Sequence, residues 1–265
     1  MDLQLGGDAA LVTASSSGLG KASARALAAE GSNVVLNGRD EERLAAAVED
    51  VRDDAADGAT VIGHAADITD PDAVEELVER PVAEFGRLDH LVTSAGGPPT
   101  KPFLETTDEE WYDAFDLLVM SVVRAVRAAA PHLRADGGGT IVTITSITVK
   151  EPKDNLVLSN AVRSGAVGLE KMLSKELAPE IRANAVLPGT HETPRVEDVV
   201  EQGVERGDHD SYDAGVEEWA DRIPAGRLGD PMELGRTVAF LSSPQSAFLS
   251  GVAVPIDGGE SNSML

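Results

Sequence analysis

Two short stretches of this chain hold residue types whose spacing suits chemistry. The first is T13-A-S-S-S-G-L-G20. Gly18 and Gly20 lie between an apolar run and a helical pattern, where bare backbone N–H groups can approach a phosphate. The helix N-terminus that follows favours the phosphate's charge. Ala14 stands where such turns commonly begin with glycine. The second stretch is L158-S-N-A-V-R163. Ser159 and Arg163 are four residues apart, so on a helix they share one face. A hydroxyl beside a guanidinium can stabilise a developing alkoxide. The guanidinium is effectively never neutral, so it is a poor proton shuttle.

These residues need a scaffold, and the chain supplies a regular one. Short apolar, β-branched runs at 10–14, 33–37, 60–64, 90–96, 140–146, within 181–189 and at 252–257 read as strands. Helical patterns cover 19–31, 41–56, 72–85, 108–134 and 155–178. Strict alternation of this kind predicts a parallel sheet covered on both faces. With right-handed crossovers it becomes a doubly wound, seven-stranded, Rossmann-type α/β fold. No internal repeat or linker breaks the chain, so residues 1–265 are expected to form a single domain. Ligands of such sheets bind beyond the carboxyl ends of the strands. Residues 194–222, rich in Asp and Glu and holding Tyr212 and Trp219, interrupt the rhythm just after the sixth strand. They read as a lid, the alternative being an acidic surface loop.

The end of the second strand, NGRDEERL, bears on cofactor choice. NAD sites commonly carry an acidic residue here for the ribose 2′-hydroxyl. This chain has Gly38 and then Arg39. An arginine at that rim pairs with a 2′-phosphate, which favours NADP(H) over NAD(H). The alternative is a surface arginine engaged by Asp40, Glu41 or Glu42.

Taken together, T13-A-S-S-S-G-L-G20, A66-D-I68, S94-A-G96, Ser146, P188-G-T-H-E-T193, R227-L-G-D-P-M-E233 and G251-V-A-V-P-I-D-G-G259 resemble the short-chain dehydrogenase/reductase family. The resemblance covers essentially the whole chain. It is strongest to single-domain oxoacyl-carrier-protein reductases and related sugar and alcohol dehydrogenases. It implies that Thr13, Ser15, Ser17, Gly18, Leu19 and Gly20 contact the cofactor and that Asp67 and Ile68 hold its adenine. Ser94, in place of the family's asparagine, would pass under the cofactor with Ala95 and Gly96. Pro188, Gly189 and Thr193 would hold the nicotinamide end. Dimers or tetramers built on the two long helices are also implied.

The family's chemistry is hydride transfer between nicotinamide and a carbonyl or alcohol. A serine orients the oxygen, and a tyrosine acts as acid or base. A lysine four residues later lowers the tyrosine pKa, and an asparagine completes a relay. Here Ser146 is kept, while Ser159, Arg163 and Leu118 stand at the tyrosine, lysine and asparagine positions. The two tyrosines of the chain, Tyr112 and Tyr212, lie elsewhere. The resemblance therefore implies an NADP(H)-dependent oxidoreductase acting on a small alcohol or carbonyl (sugar, hydroxy acid, alcohol or 3-oxoacyl compound). Ser146, Ser159 and Arg163 would be its catalytic set, with Arg163 also on the ribose. The proton would come through water or from Lys150, Lys153, His191 or Tyr212. A nucleotide-binding protein with little or no turnover is the alternative, and a non-redox lyase or dehydratase a third.

Composition narrows the rest. There are no cysteines, which excludes disulfides, thiolate metal sites and a cysteine nucleophile. No histidine pair has the spacing of a zinc helix, so no metal is expected. The start of the chain shows neither a basic region nor a long apolar run, and a cytoplasmic, membrane-free protein is expected. The net charge of −24, from 46 acidic and 22 basic residues, repels nucleic acid. The acids are scattered along the chain, as in proteins of a salt-rich, halophilic cytoplasm. The alternative is a specific cationic partner. Around 194–222 the acidity also disfavours a highly anionic substrate. Self-repulsion on this scale is relieved by screening. The melting temperature is therefore expected to fall as salt is lowered from molar to millimolar, and a value indifferent to salt would refute the halophilic reading.

Overall fold

The computed structural model describes residues 1–264. Seven strands form one fully parallel sheet: β1 (Ala9–Val12), β2 (Asn33–Gly38), β3 (Val61–Ala65), β4 (His90–Thr93), β5 (Gly139–Ile144), β6 (Ile181–Pro188) and β7 (Ala253–Ile256). Their spatial order is β3-β2-β1-β4-β5-β6-β7. Strand order reverses between β1 and β4, so the carboxyl ends of these two strands mark the switch point where ligands of open α/β sheets bind. In register, Val12 lies beside Val92, which brings Thr13 next to Thr93 and Ser94.

Among the described residues, nine α-helices accompany the sheet: α1 (Gly18–Ala29), α2 (Glu41–Asp53), α3 (Pro71–Phe85), α4 (Asp108–Phe115), α5 (Ser121–Leu133), α6 (Val157–Glu176), α7 (Pro194–Arg206), α8 (Tyr212–Ala220) and α9 (Pro231–Ser242). Two apolar clusters cover the two faces of the sheet. One packs α1, α2 and α9 around Val12, Val34 and Val186. The other packs α3 and α5 around Leu11, Leu91 and Ile141. β1 and β4 are buried along their whole length, as continuous apolar strands between two helical layers must be.

Three departures from the sequence pattern concern the site. The helical pattern over 108–134 is two helices joined by a π-helical turn, Asp116–Met120, and such turns occur frequently at functional sites. Residues 194–222 are largely ordered as α7 and α8 rather than as irregular chain. The strand–helix reading did not place helix α9, which starts on the capping box of Asp230 and Glu233. That helix crosses α1 so closely that a Cβ on Gly235 would lie 2.4 Å from the carbonyl oxygen of Ala22. Among the described residues, no helix is long and apolar enough to cross a membrane, and no cluster of His, Cys, Asp and Glu could hold a metal ion.

Because backbone rather than a flexible side chain blocks that position, Gly235→Ala must push α9 off α1. Urea denaturation of this variant is expected to show a loss of about 1–3 kcal/mol, the usual cost of overpacking.

Candidate active site

The glycine turn takes its shape from β1 and α1. Ala14 has φ +46° and Gly18 φ +55°, both left-handed. Gly20 has no room for a side chain, since a Cβ there would lie 2.5 Å from the Ala14 carbonyl oxygen. The turn is tied down from below. Ser15 is buried; its N–H donates to the Asn37 carbonyl at 2.7 Å and its hydroxyl to the Val12 carbonyl at 2.7 Å. Asn37, also buried, accepts from the Ala14 N–H at 3.0 Å and donates to the carbonyls of Ala66 and His64. Sequence reasoning missed Asn37, because an apolar-flanked asparagine on a strand gives no local sign of partners from two other segments.

Five helices begin with a side chain capping their N–H groups: Asp40 on α2, Asp70 on α3, Thr107 on α4, Ser211 on α8 and Asp230 on α9. Four starts carry no such cap: α5, which continues the π turn, α6, and α1 and α7 after Ser17 and Thr193. The last two approach each other, with the methyl of Thr193 3.6 Å from the position a Cβ on Gly18 would take. Two open helix N-termini at a switch point suit an anion such as a dinucleotide diphosphate. The residues present fit the diphosphate of a nicotinamide dinucleotide on this ground.

The expected adenine end gathers Arg39, Asp67 and Ile68. Arg39 is exposed, and its Nη1 lies 3.8 Å from an oxygen of Asp67. Bonds from the Thr69 N–H and hydroxyl, followed by the charge of Arg39, hold the Asp67 carboxyl below its ordinary range. Ile68 is buried in the core beneath α3. Between the two ends, Thr13 Oγ1 donates to the Ser94 carbonyl and accepts from the Ser94 N–H, both at 2.8 Å. This reciprocal pair locks the end of β1 to the S94-A-G96 segment.

The second chemical stretch lies on α6, facing the ends of β4 and β5. Arg163 is buried, and no carboxylate pairs with it among the described residues. Its Nε donates to Ser159 Oγ at 3.1 Å, Nη1 to the Thr145 carbonyl at 3.2 Å and Nη2 to the Gly96 carbonyl at 3.3 Å. Burial, aided by the like charge of Arg195, pushes its pKa down to about 10. Arg195, which the sequence reading did not single out, reaches from α7 to the loop after β4, 3.5 Å from Thr100 Oγ1. Ser146 Oγ accepts from the Thr148 N–H at 3.2 Å, leaving its own hydrogen free to donate. Ser159 is likewise an acceptor from Arg163 with its hydrogen free. Leu118 lies on the π turn and lines a small cavity with Arg163, Ser121 and Thr145.

The remaining sequence candidates separate clearly. Lys153 pairs with Glu260. His191 is buried against Gly229, with Nδ1 3.1 Å from the Gly189 carbonyl. Tyr212 is partly exposed at the start of α8, its pKa raised by burial and by Glu197 and other nearby acids. Lys150 is half-buried just after the turn that Ser146 caps. Pro188 and Gly189 end β6, where Glu260 accepts from the Thr190 N–H at 2.8 Å and the Thr190 hydroxyl at 3.0 Å. Glu260, remote in sequence from both its partners, was another residue without a local signal.

A seven-stranded parallel sheet with this order, and a glycine turn at its switch point, defines a Rossmann-type fold. The comparisons with known proteins take the class further. A family model described as enoyl-(acyl carrier protein) reductase matches residues 13–261. The chain is 30% identical to the 3-oxoacyl-[acyl-carrier-protein] reductase FabG of Thermotoga maritima, covering 97% of this chain and 99% of that protein. It is 34% identical to the short-chain reductase protein NovJ of Streptomyces niveus, covering 94% and 92%. L-sorbose reductase from Gluconobacter frateurii, solved with NADPH and L-sorbose, superposes with a TM-score of 0.94 at 31% identity, covering all of both chains. An actinorhodin polyketide ketoreductase solved with NADPH superposes at 0.89 and 32% identity, covering 96% and 97%. The chain belongs to the short-chain dehydrogenase/reductase family of oxidoreductases.

Asn37 joins the glycine turn to β2 and β3 from a buried position. Replacing it by alanine leaves an N–H and two carbonyls without this partner. Asn37→Ala is expected to lose about 2–4 kcal/mol in urea denaturation, the scale of orphaned buried polar groups, and to bind NADPH more weakly in fluorescence titration.

Proposed function

We propose that the protein is an NADP(H)-dependent oxidoreductase that interconverts a small carbonyl compound and its alcohol. When bound, the cofactor supplies or takes up the hydride. The observation that carries this reading is the placement of Arg163, which joins the face of α6 holding Ser159 to the ends of β4 and β5. In this reading Ser146 and Ser159 each donate a hydroxyl hydrogen to the substrate oxygen. Arg163 polarises Ser159 by donating into its oxygen and stabilises negative charge as it develops. It also leaves guanidinium hydrogens for the ribose side of the cofactor. Thr13, Ser17, Gly18, Leu19 and Gly20, the segment Ser94, Ala95 and Gly96, and Pro188, Gly189 and Thr193 form the cofactor cradle, with Asp67 and Ile68 at the adenine; Ser15, expected among the contacts, is buried beneath the turn with its N–H and hydroxyl bonded to Asn37 and Val12, and supports the cradle instead.

Arg39 is placed to meet a 2′-phosphate, which would compete with Asp67 for its guanidinium. The NADPH bound to L-sorbose reductase and to the polyketide ketoreductase supports the same cofactor choice here. We assign α7 and α8 to a lid over the substrate and the whole chain to one domain. A cytoplasmic homotetramer or homodimer with a salt-adapted surface completes the proposal.

One observation favours a second reading, a nucleotide-binding protein with little turnover. Tyr112 and Tyr212 are both on the surface, 74% and 39% exposed, so neither stands in the place of the family's acid.

Fluorescence titration with NADPH and NADH, then turnover on a panel of ketones, ketoses and 3-oxoacyl thioesters in high salt, separates the two. Turnover with Ser146→Ala and Arg163→Ala each lowering kcat on the order of a hundredfold is the expected result. Tight NADPH binding with no turnover would leave the second reading. Arg39→Ala is expected to weaken NADPH on the order of tenfold more than NADH, the loss of one charge-assisted contact; equal effects would reject the 2′-phosphate role.

A further inference from the structure

Carbonyl reduction consumes one proton per hydride, and neither Ser159 nor Arg163 is a net source of it. Two turns beyond Arg163, on the buried side of α6, lies Glu170, 2% exposed. The Thr143 hydroxyl on β5 donates to Glu170 Oε2 at 2.7 Å, and the Thr93 hydroxyl on β4 donates to Thr143 Oγ1 at 2.9 Å. Thr93 and Thr143 both line the small cavity that also holds Arg163, Leu118 and Ser121. That cavity has room for about one water molecule. The second carboxyl oxygen, Oε1, is buried without a hydrogen-bond partner among the described residues. An ionised carboxylate with an orphan oxygen is costly in such a place, whereas a neutral carboxyl is tolerated.

Resting on the oxidoreductase reading above, we propose that Glu170 is the proton store of this site, connected to it through Thr143, Thr93 and a water in the cavity beside Arg163. In the reducing direction the hydride adds to the carbonyl carbon and the π pair moves to oxygen. The Ser159 O–H bond breaks as its proton joins that oxygen. Ser159 reaches the cavity through Arg163, which bonds its hydroxyl and lines the cavity; in the proposal a water beside that guanidinium refills Ser159, the water is refilled from Thr93, Thr93 from Thr143, and Thr143 from the Glu170 carboxyl. Hydroxyl hydrogens rotate to suit each state. Glu170 is left as a carboxylate accepting from Thr143 and, once the product has left, regains a proton from solvent by the same water and hydroxyls in reverse. Alcohol oxidation runs the same transfers backwards.

Burial pushes the Glu170 pKa up to about 8, against the opposing bonds from Thr143 and the Asn184 N–H. The charged and titratable groups on the elements packed against α6 are Arg182 on β6, Asp108, Glu109, Glu110, Tyr112 and Asp113 on α4, and Asp116 on the π turn. The helix itself adds Arg163, Lys171, Lys175 and Glu176. None of these charges contributes to the shift. Below about pH 8 the store is filled, and above it the store empties, so reduction is expected to slow as pH rises through that value.

The test compares wild type, Glu170→Gln, Thr143→Val, Thr143→Ser and Lys150→Met. Kinetics with NADPH and a ketone from the panel are measured from pH 6 to 10, alongside infrared titration of the protonated-carboxyl band. Glu170→Gln keeps the shape and an acceptor for Thr143 but holds no proton. It is expected to fold as wild type and keep KM and NADPH affinity. Its kcat is expected to fall on the order of ten- to a hundredfold, within the range for proton-transfer groups, with the basic limb near pH 8 lost. Thr143→Val should match it in rate while keeping the infrared band, and Thr143→Ser should restore the rate. A wild-type rate and pH profile in Glu170→Gln would overturn the proposal while leaving the oxidoreductase reading intact. So would loss of the limb in Lys150→Met alone. A silent wild type with no carboxyl band titrating near neutrality would overturn both.

Discussion

Arg163 is a cation buried with main-chain carbonyls and a hydroxyl for company and no carboxylate to neutralise it. Such a group is tolerated only when its surroundings are fixed dipoles, because they must do the work of solvent. The carbonyls of Gly96 and Thr145 therefore have to stay where the ends of β4 and β5 put them. Those strand ends are set in turn by the reciprocal Thr13–Ser94 bonds and by the register of the sheet. The positive potential of the site is thus a product of the whole sheet, not of one side chain.

A second constraint acts at the helix ends. Capping side chains occupy five helix N-termini, so their N–H groups are spent within the protein. The starts of α1 and α7 keep theirs available; α1 follows β1 at the switch point, and α7, which follows β6, brings Thr193 close to Gly18. In a chain of net charge −24 these main-chain dipoles offer an anion a welcome that side-chain statistics do not reveal.

Much of the architecture was readable because strand periodicity and glycine turns are local. ALVTA, NVVLN and HLVTSAG announce buried parallel strands, and T13-A-S-S-S-G-L-G20 its turn. Helix α9 was missed although D230-P-M-E233 is a local start signal, a capping box with proline at the first helical position; its close crossing over α1 at Gly235 is a tertiary contact. The π turn at 116–120 was hidden because its residues fit an α pattern as well. For the site, the Ser159–Arg163 pair follows from helical spacing. Asn37, Arg195, Glu170 and Glu260 draw their meaning from partners far along the chain, and no window of sequence contains those partners. Lys153 and His191 looked available in sequence for the same reason; Glu260 and Gly229 claim them in space.

Glu260 has a consequence for how this protein can be rebuilt. One carboxylate near the end of the chain joins Lys153, from the loop after Ser146, to Thr190, from the loop after β6. Asn262 and Glu151 make a parallel tie. The 147–153 loop, the loop after β6 and the tail are therefore one unit assembled from three distant pieces. A chimera that imports the post-β6 loop or the 147–153 loop from a relative inherits a mismatched third piece unless the tail travels with it.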